Sequence, residues 1–243
     1  MTFTKKEICS FVDFTSLNSY DSLNSVKAFL SEALDFEKKG FSVAAVCLFP
    51  NFSALAVNEL KDSSIKTAVV AGNFPNSQGF LSTKLNECEL ALAAGVDEID
   101  IVLNLGEFDV GDHDHVVEEI KAFKGLMPKK TLKVILETGY LKTPERIRLA
   151  SELAIQGGAD FIKTSTGKEF PGATLEAVEI MAQVISENKS TRKIGLKISG
   201  GIRTYEDALE YFEVVEKYLG EEFMTSDFLR IGASSLVRNL MNE

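Results

Sequence analysis

The chain of 243 residues is 45% hydrophobic and 26% charged, too rich in apolar side chains for a disordered polymer and long enough to bury one sizeable core. Its formal net charge is −10 and no run of Lys and Arg interrupts that balance, which speaks against a nucleic-acid footprint or an anionic lipid partner. No stretch reaches the roughly 20 apolar residues that span a bilayer and the first residues lack a secretory apolar core, so no membrane partner and a cytoplasmic protein are expected.

Short β-rich apolar runs recur along the chain at residues 11–14, 43–49, 66–72, 98–104, 132–137, 160–165, 193–199 and 228–233. Between them lie stretches of helical period, among them 23–38, 83–94, 115–126, 144–156, 175–188 and 205–218. Gly40, Gly95, Gly157 and Gly220 fall where helices should stop. Thr143-Pro144 reads as an N-cap with proline at N1, and Thr204 to Asp207 as a capping box. Alternating strand and helix imply a parallel sheet. Eight units at even spacing favour closure of residues 1–243 into one (β/α)8 TIM barrel over an open sheet with a nucleotide crevice, because no GxGxxG follows an early strand.

Side chains alternate across a strand, so each run divides into a face that meets helices and a face that lines the lumen. Ile99, Ile101 and Leu103 form one greasy face, which turns Asp100 inward with Val102 and Asn104. The same phase turns Lys133 and Glu137 inward from Leu132, Val134 and Leu136, and Lys197 inward from Ile194, Leu196 and Ile198. Ile162 and Thr164 set the phase for Lys163, and Val12 and Phe14 for Asp13. Each of these charges alone reads equally well as a barrel-filling ion pair. Five of them, the three lysines and two aspartates, on neighbouring strands, toward the end where barrel enzymes keep their chemistry, point to a catalytic centre.

A lysine is a nucleophile only when neutral, which near pH 7 requires desolvation or a neighbouring positive charge. Lys163 and Lys197 suggest such a pair: at about 4 Å and an effective dielectric near 20, two like charges cost roughly 4 kcal/mol, enough to carry an amine from about 10.4 toward 7. Asp100 beside Lys197 would keep that second lysine charged, so the depression would fall on Lys163, which then attacks a carbonyl to form an imine. No cofactor or metal is needed for that route. A metal-dependent aldolase would want several nitrogen ligands, whereas the chain has two histidines, both in Asp112-His113-Asp114-His115, a sequence that reads as a solvated helix start.

The seventh strand runs into Ser199-Gly200-Gly201-Ile202-Arg203 and the eighth into Gly232-Ala233-Ser234-Ser235. In a barrel these two loops commonly cradle phosphate, with glycines letting backbone amides approach, hydroxyls donating, and the start of a following helix adding its dipole. Gly167-Lys168 after the sixth strand could complete the grip, and the partner is then a small phosphorylated sugar. Cys9, Cys47 and Cys88 have no CxxC spacing, so neither a disulfide framework nor a zinc site is suggested.

These segments resemble the deoxyribose-phosphate aldolases, class I enzymes of deoxynucleoside catabolism, over nearly the whole chain. The resemblance is carried by Asp13-Phe14-Thr15-Ser16-Leu17, Val46-Cys47-Leu48-Phe49-Pro50, Asn73-Phe74-Pro75, Glu98-Ile99-Asp100-Ile101-Val102 and Lys133 to Thr138. Phe161-Ile162-Lys163-Thr164-Ser165-Thr166-Gly167-Lys168 adds the most specific match, with Lys197 to Arg203 and Gly232 to Ser235. It implies that Lys163 forms the Schiff base, Lys197 depresses its pKa and Asp100 relays protons. Asp13, Cys47, Lys133 and Thr166 would support the site, and phosphate would sit on Gly167, Lys168, Gly200, Gly201, Gly232, Ser234 and Ser235. It further implies reversible cleavage of 2-deoxy-D-ribose 5-phosphate to acetaldehyde and D-glyceraldehyde 3-phosphate, in a homo-oligomer for which a dimer is the working expectation. Some members carry a tail tyrosine that assists proton transfer; here no tyrosine follows Tyr218. Lys197 is followed by Ile198-Ser199 where several relatives have Pro-Ala or Ala-Ser, a change expected to be neutral, and Cys47 reads as a packing residue rather than a nucleophile. A lyase for another phosphosugar, or a silent phosphosugar-binding barrel, is the alternative, and substrate profiling separates them.

Overall fold

One arrangement is repeated around the molecule: a short apolar strand buried on both faces, then a helix whose greasy side folds back over it. The computed structural model describes residues 3–242. Its strands are β1 (Val12–Thr15), β2 (Ala45–Leu48), β3 (Lys66–Val70), β4 (Glu98–Val102), β5 (Thr131–Ile135), β6 (Phe161–Lys163), β7 (Gly195–Ser199) and β8 (Leu229–Ala233). They pair in parallel in sequence order, and β8 returns to β1, so the barrel is closed as expected. The helices before and between the first strands are α1 (Lys5–Cys9), α2 (Leu23–Lys38), α3 (Ser53–Leu60), α4 (Leu81–Ala93), α5 (Leu105–Val110) and α6 (His113–Leu126). After β5 come α7 (Thr138–Leu141), α8 (Pro144–Gln156), α9 (Leu175–Asn188), α10 (Tyr205–Leu219) and α11 (Leu236–Asn242).

Local chemistry explains most boundaries. Thr143 caps α8 ahead of Pro144, and Thr204 and Asp207 close a capping box at α10. Gly40, Gly95 and Gly220 take positive φ at helix ends, but after α8 it is Gly158 that does so, at +100°. Gly157 is small for another reason: a Cβ there would lie 2.6 Å from Cβ of Ile120 on α6. The predicted strand over 98–104 is shorter in fact. β4 stops at Val102, so Asn104 does not line the lumen; it caps α5 by accepting from the Glu107 N–H and donates to Glu119.

The outward faces named above, Ile99, Ile101, Leu132, Val134, Ile162, Leu196 and Ile198, pack with Val116, Ile120, Ile147, Val178, Met181 and Phe212 of the helices in one continuous core. The lumen is divided. Toward β2 and β3 it is apolar and small, formed by Leu17, Ala45, Cys47, Ala68 and Val70. Around β1 and β4 to β8 it holds Asp13, Glu98, Asp100, Lys133, Lys163, Lys197 and Arg230, each no more than 4% exposed. Toward the strands' N-terminal ends Phe161 fills the space that Gly195 leaves open, since a Cβ on Gly195 would sit 2.3 Å from its ring.

Candidate active site

The inward parity of β1, β4, β5, β6 and β7 brings the five predicted charges together. Lys163 and Lys197 are in register on adjacent strands. The Nζ atoms of both donate to the same oxygen, Oδ2 of Asp100, at 2.9 and 2.7 Å. Lys197 Nζ also lies 2.5 Å from Asp13 Oδ2. Lys133 reaches Asp100 Oδ1 at 2.9 Å, Glu98 at 2.5 Å and Asp13 at 3.3 Å. Arg230 closes the network below, donating to Asp13 at 2.6 Å and to both oxygens of Glu98.

Glu98 and Arg230 were not singled out from the sequence, although the parity that turns Asp100 inward also turns Glu98 inward, and Leu229 and Ile231 do the same for Arg230. With them the charge balance is legible. Among the described residues the ion-paired network sets Lys133, Lys163, Lys197 and Arg230 against Asp13, Glu98 and Asp100, so one cation is in surplus within the network, and the buried Glu137, outside it, is a further carboxylate that acts on Lys163. An uncompensated buried charge is costly, and the cheapest remedy is for one amine to lose its proton.

The amine whose pKa is lowered is Lys163. Burial pulls its pKa down; Asp100 opposes that shift and Lys197 adds to it, with a net lowering. Burial pulls on Lys197 as well, but Asp100 and Asp13 more than offset it and its pKa rises. Lys133 is raised well above the ordinary lysine range, where Asp100, Asp13 and Glu98 outweigh its burial. Burial works against the charged form of Asp100 too, yet Lys133, Lys163 and Lys197 hold it well below the usual carboxylate range. The ranking corrects the expectation that crowding by a second ammonium is the main agent: desolvation is larger, and Asp100, expected beside Lys197, contacts Lys163 equally closely.

Above this network a cavity of about 430 Å³ opens at the C-terminal end of the barrel. Of the three interior lysines only Lys163 lines it, with Thr166, Gly167, Lys168, Gly200, Gly201, Gly232, Ser234 and Ser235 around it. Every residue predicted to hold phosphate therefore borders one space. Gly200 and Gly201 adopt φ of +92° and +98°, a conformation that turns successive amides out of a side-chain-free loop. Arg203 and Arg238, not named as site residues from the sequence, also line the cavity, and Arg238 is held by Glu32 at 2.6 Å.

Of the supporting residues Thr166 lines the cavity, and Asp13, Cys47 and Lys133 lie behind its wall. Asp13 and Lys133 belong to the ion network beneath the cavity. Cys47 packs between Leu17, Ala45, Ala68 and Val70, and burial pushes its thiol up, as befits a packing residue. Thr166 is pinned by Glu137, whose carboxylate accepts from its backbone N–H at 3.2 Å and its hydroxyl at 2.5 Å. Glu137 itself adopts a left-handed backbone at φ 59°, and burial raises its pKa. Asp112 caps α6 by accepting from the His115 N–H at 3.1 Å. Glu107, Asp112 and His115 set one donor atom each within 4.8 Å of one another, but none lines the cavity.

Residues 10–236 match the DeoC/LacD family of aldolases. The chain is 37% identical over 246 residues to the deoxyribose-phosphate aldolase of Mus musculus, covering 95% of this chain and 77% of that protein. The Homo sapiens protein of the same name is 36% identical over the same shares. Among solved structures, the tetrameric deoxyribose phosphate aldolase of Aeropyrum pernix superposes with a TM-score of 0.80 at 26% identity, covering 98% of this chain and 92% of that one.

Proposed function

Because this chain belongs to the DeoC/LacD aldolase family, we propose that it cleaves 2-deoxy-D-ribose 5-phosphate reversibly to acetaldehyde and D-glyceraldehyde 3-phosphate through an imine on Lys163. The observation that carries this reading is geometric: the one lysine of the ion network that opens to the cavity is also the one whose pKa is lowered. The names and identity of the mouse and human relatives support the substrate, as does a cavity whose glycine and serine loops suit a phosphate.

Neutral Lys163 adds to the C1 aldehyde of the open-chain sugar, and loss of water leaves a protonated imine. Removal of the C3 hydroxyl proton, through Asp100 and a water, lets the C2–C3 bond break. Its electrons pass into the imine to give an enamine, and C3 departs as the aldehyde of D-glyceraldehyde 3-phosphate. Protonation at C2 and hydrolysis then release acetaldehyde and free the amine. Lys197, held charged by two carboxylates, stabilises the Asp100 anion and disfavours reprotonation of Lys163. Asp13 and Lys133 fix that arrangement, while Thr166 and Lys168 position the substrate and Gly167, Gly200, Gly201, Gly232, Ser234 and Ser235 hold its phosphate.

A homo-oligomer belongs to the same reading, supported by the tetramer of the Aeropyrum pernix relative; a dimer is its simplest form. A reducing, cytoplasmic setting is supported by three free, buried cysteines. Treatment with acetaldehyde and borohydride should add one ethyl group to Lys163, read by peptide mass spectrometry. No adduct, or an adduct on another lysine, would overturn the assignment and favour a silent binding barrel.

A further inference from the structure

Ser199 is the last residue of β7, two positions after Lys197, so its side chain shares the inward face. It is 6% exposed and lines the cavity together with Lys163, Gly200, Gly201 and Gly232. Its backbone is firmly anchored. The N–H donates to Thr164 Oγ1 at 2.9 Å, and the carbonyl accepts from that same hydroxyl at 3.1 Å and from the Ala173 N–H at 3.0 Å. The Ser199 hydroxyl, by contrast, is buried without a hydrogen-bond partner among the protein groups. Buried polar groups are nearly always satisfied, so such a group on a cavity wall marks a place where something binds.

The strand opposite makes room for it. Gly232 is in register with Ser199 on β8, and a Cβ there would sit 2.3 Å from Ser199 Oγ. Position gives the ligand group. On the aldolase reading, a substrate chain with C1 on Lys163 and phosphate at Gly200 and Gly201 would pass the end of β7, where Ser199 directly precedes those glycines on the cavity wall. Of its two hydroxyls, the one on C3 is assigned above to Asp100 and a water, which leaves the hydroxyl on C4, the carbon next to the one bearing phosphate, for Ser199. A serine hydroxyl can both donate to and accept from it.

Resting on the aldolase reading above, we propose that Ser199 is a specificity-determining residue, its Oγ hydrogen-bonding the C4 hydroxyl and selecting α-hydroxylated phospho-aldehydes over their deoxy counterparts. A site built to bond a hydroxyl discriminates against the analogue that lacks it, because its own polar group is then left unpaired. Ser199 is therefore not neutral beside the Ala of some relatives.

The test runs the full chain in the synthetic direction, with acetaldehyde and either D-glyceraldehyde 3-phosphate or 3-oxopropyl phosphate, which lacks that hydroxyl. The parent should prefer the hydroxylated acceptor. Ser199→Ala should lose roughly tenfold in kcat/KM for it and little for the deoxy acceptor, so that the preference collapses. A parent without preference overturns the proposal whether or not the variant folds, and so does an equal loss on both acceptors or an unchanged ratio. Borohydride trapping of acetaldehyde on Lys163, a step without the C4 hydroxyl, separates the two readings: no trapping in the parent sinks the aldolase, whereas equal trapping in both proteins with an unchanged preference sinks only the role of Ser199.

Discussion

Asp100 Oδ2 accepts from the Nζ atoms of two lysines at once, and this single atom organises the protonation of its neighbours. Were Lys163 and Lys197 both charged, they would share one carboxylate oxygen in a site with one cation too many. Replacing Lys197 with Leu removes one cation from the network and with it the repulsion that helps lower the Lys163 pKa, so the charged form of Lys163 is favoured. The pKa governing imine formation should rise, and imine formation at pH 7 should slow roughly tenfold. The measurement is the pH profile of borohydride trapping, and an unshifted profile removes Lys197 from any electrostatic part. Parity along the strands was enough to pick out Lys163, Lys197, Asp100, Lys133 and Asp13 from the sequence. The order of their effects was not legible, because desolvation depends on what surrounds an amine from all sides.

At the scale of elements, the loops rather than the strands shape the binding space. The loop between β6 and α9 is pressed onto the one after β7: a Cβ on Gly172 would lie 2.5 Å from the carbonyl oxygen of Gly200, and Ala173 donates to both Ser199 and Gly200. Gly172→Ala must push the Gly200-Gly201 loop away from the position in which it meets phosphate. Steady-state kinetics should show KM for the phosphorylated substrate raised about tenfold or more, with trapping of unphosphorylated acetaldehyde on Lys163 nearly unchanged; an unaltered KM would show that the two loops tolerate separation. Helices α2, α8 and α9 were readable to the residue, since caps and amphipathic period agree there. The strand over 160–165 was read longer than β6 because the β-prone Thr164 follows Lys163 without a break in the pattern and still bonds the neighbouring strand at Lys197, and α3 was missed because eight residues carry little more than two turns of period.

For the molecule as a whole, the ion network couples catalysis to stability. Asp13, Glu98 and Asp100 all have lowered pKa values in the fold. A carboxylate depressed below its unfolded value contributes stability that is present above that value, about 4, and is lost as pH falls through the folded one. Resistance to thermal unfolding should therefore fall steeply below about pH 4. Glu98→Gln leaves Lys133 and Arg230 short of a charge, which should cost about 3–5 kcal/mol at neutral pH, and the acid limb of the melting-temperature profile should flatten. An equally steep limb would place the acid sensitivity elsewhere.

The amino-acid sequence by itself determined the number of strands, their parallel alternation with helices, and the parity that turns alternate side chains of each strand to the lumen. Those properties follow from a two-residue period along each strand and from capping chemistry a few residues long, both written locally. Only the tertiary structure decided which oxygen meets which ammonium, that Lys163 alone among the interior lysines reaches the cavity, and that the Ser199 hydroxyl is left unengaged. Such facts depend on the stagger with which eight strands close, and on distances across a barrel between residues up to 217 positions apart, which no local pattern encodes.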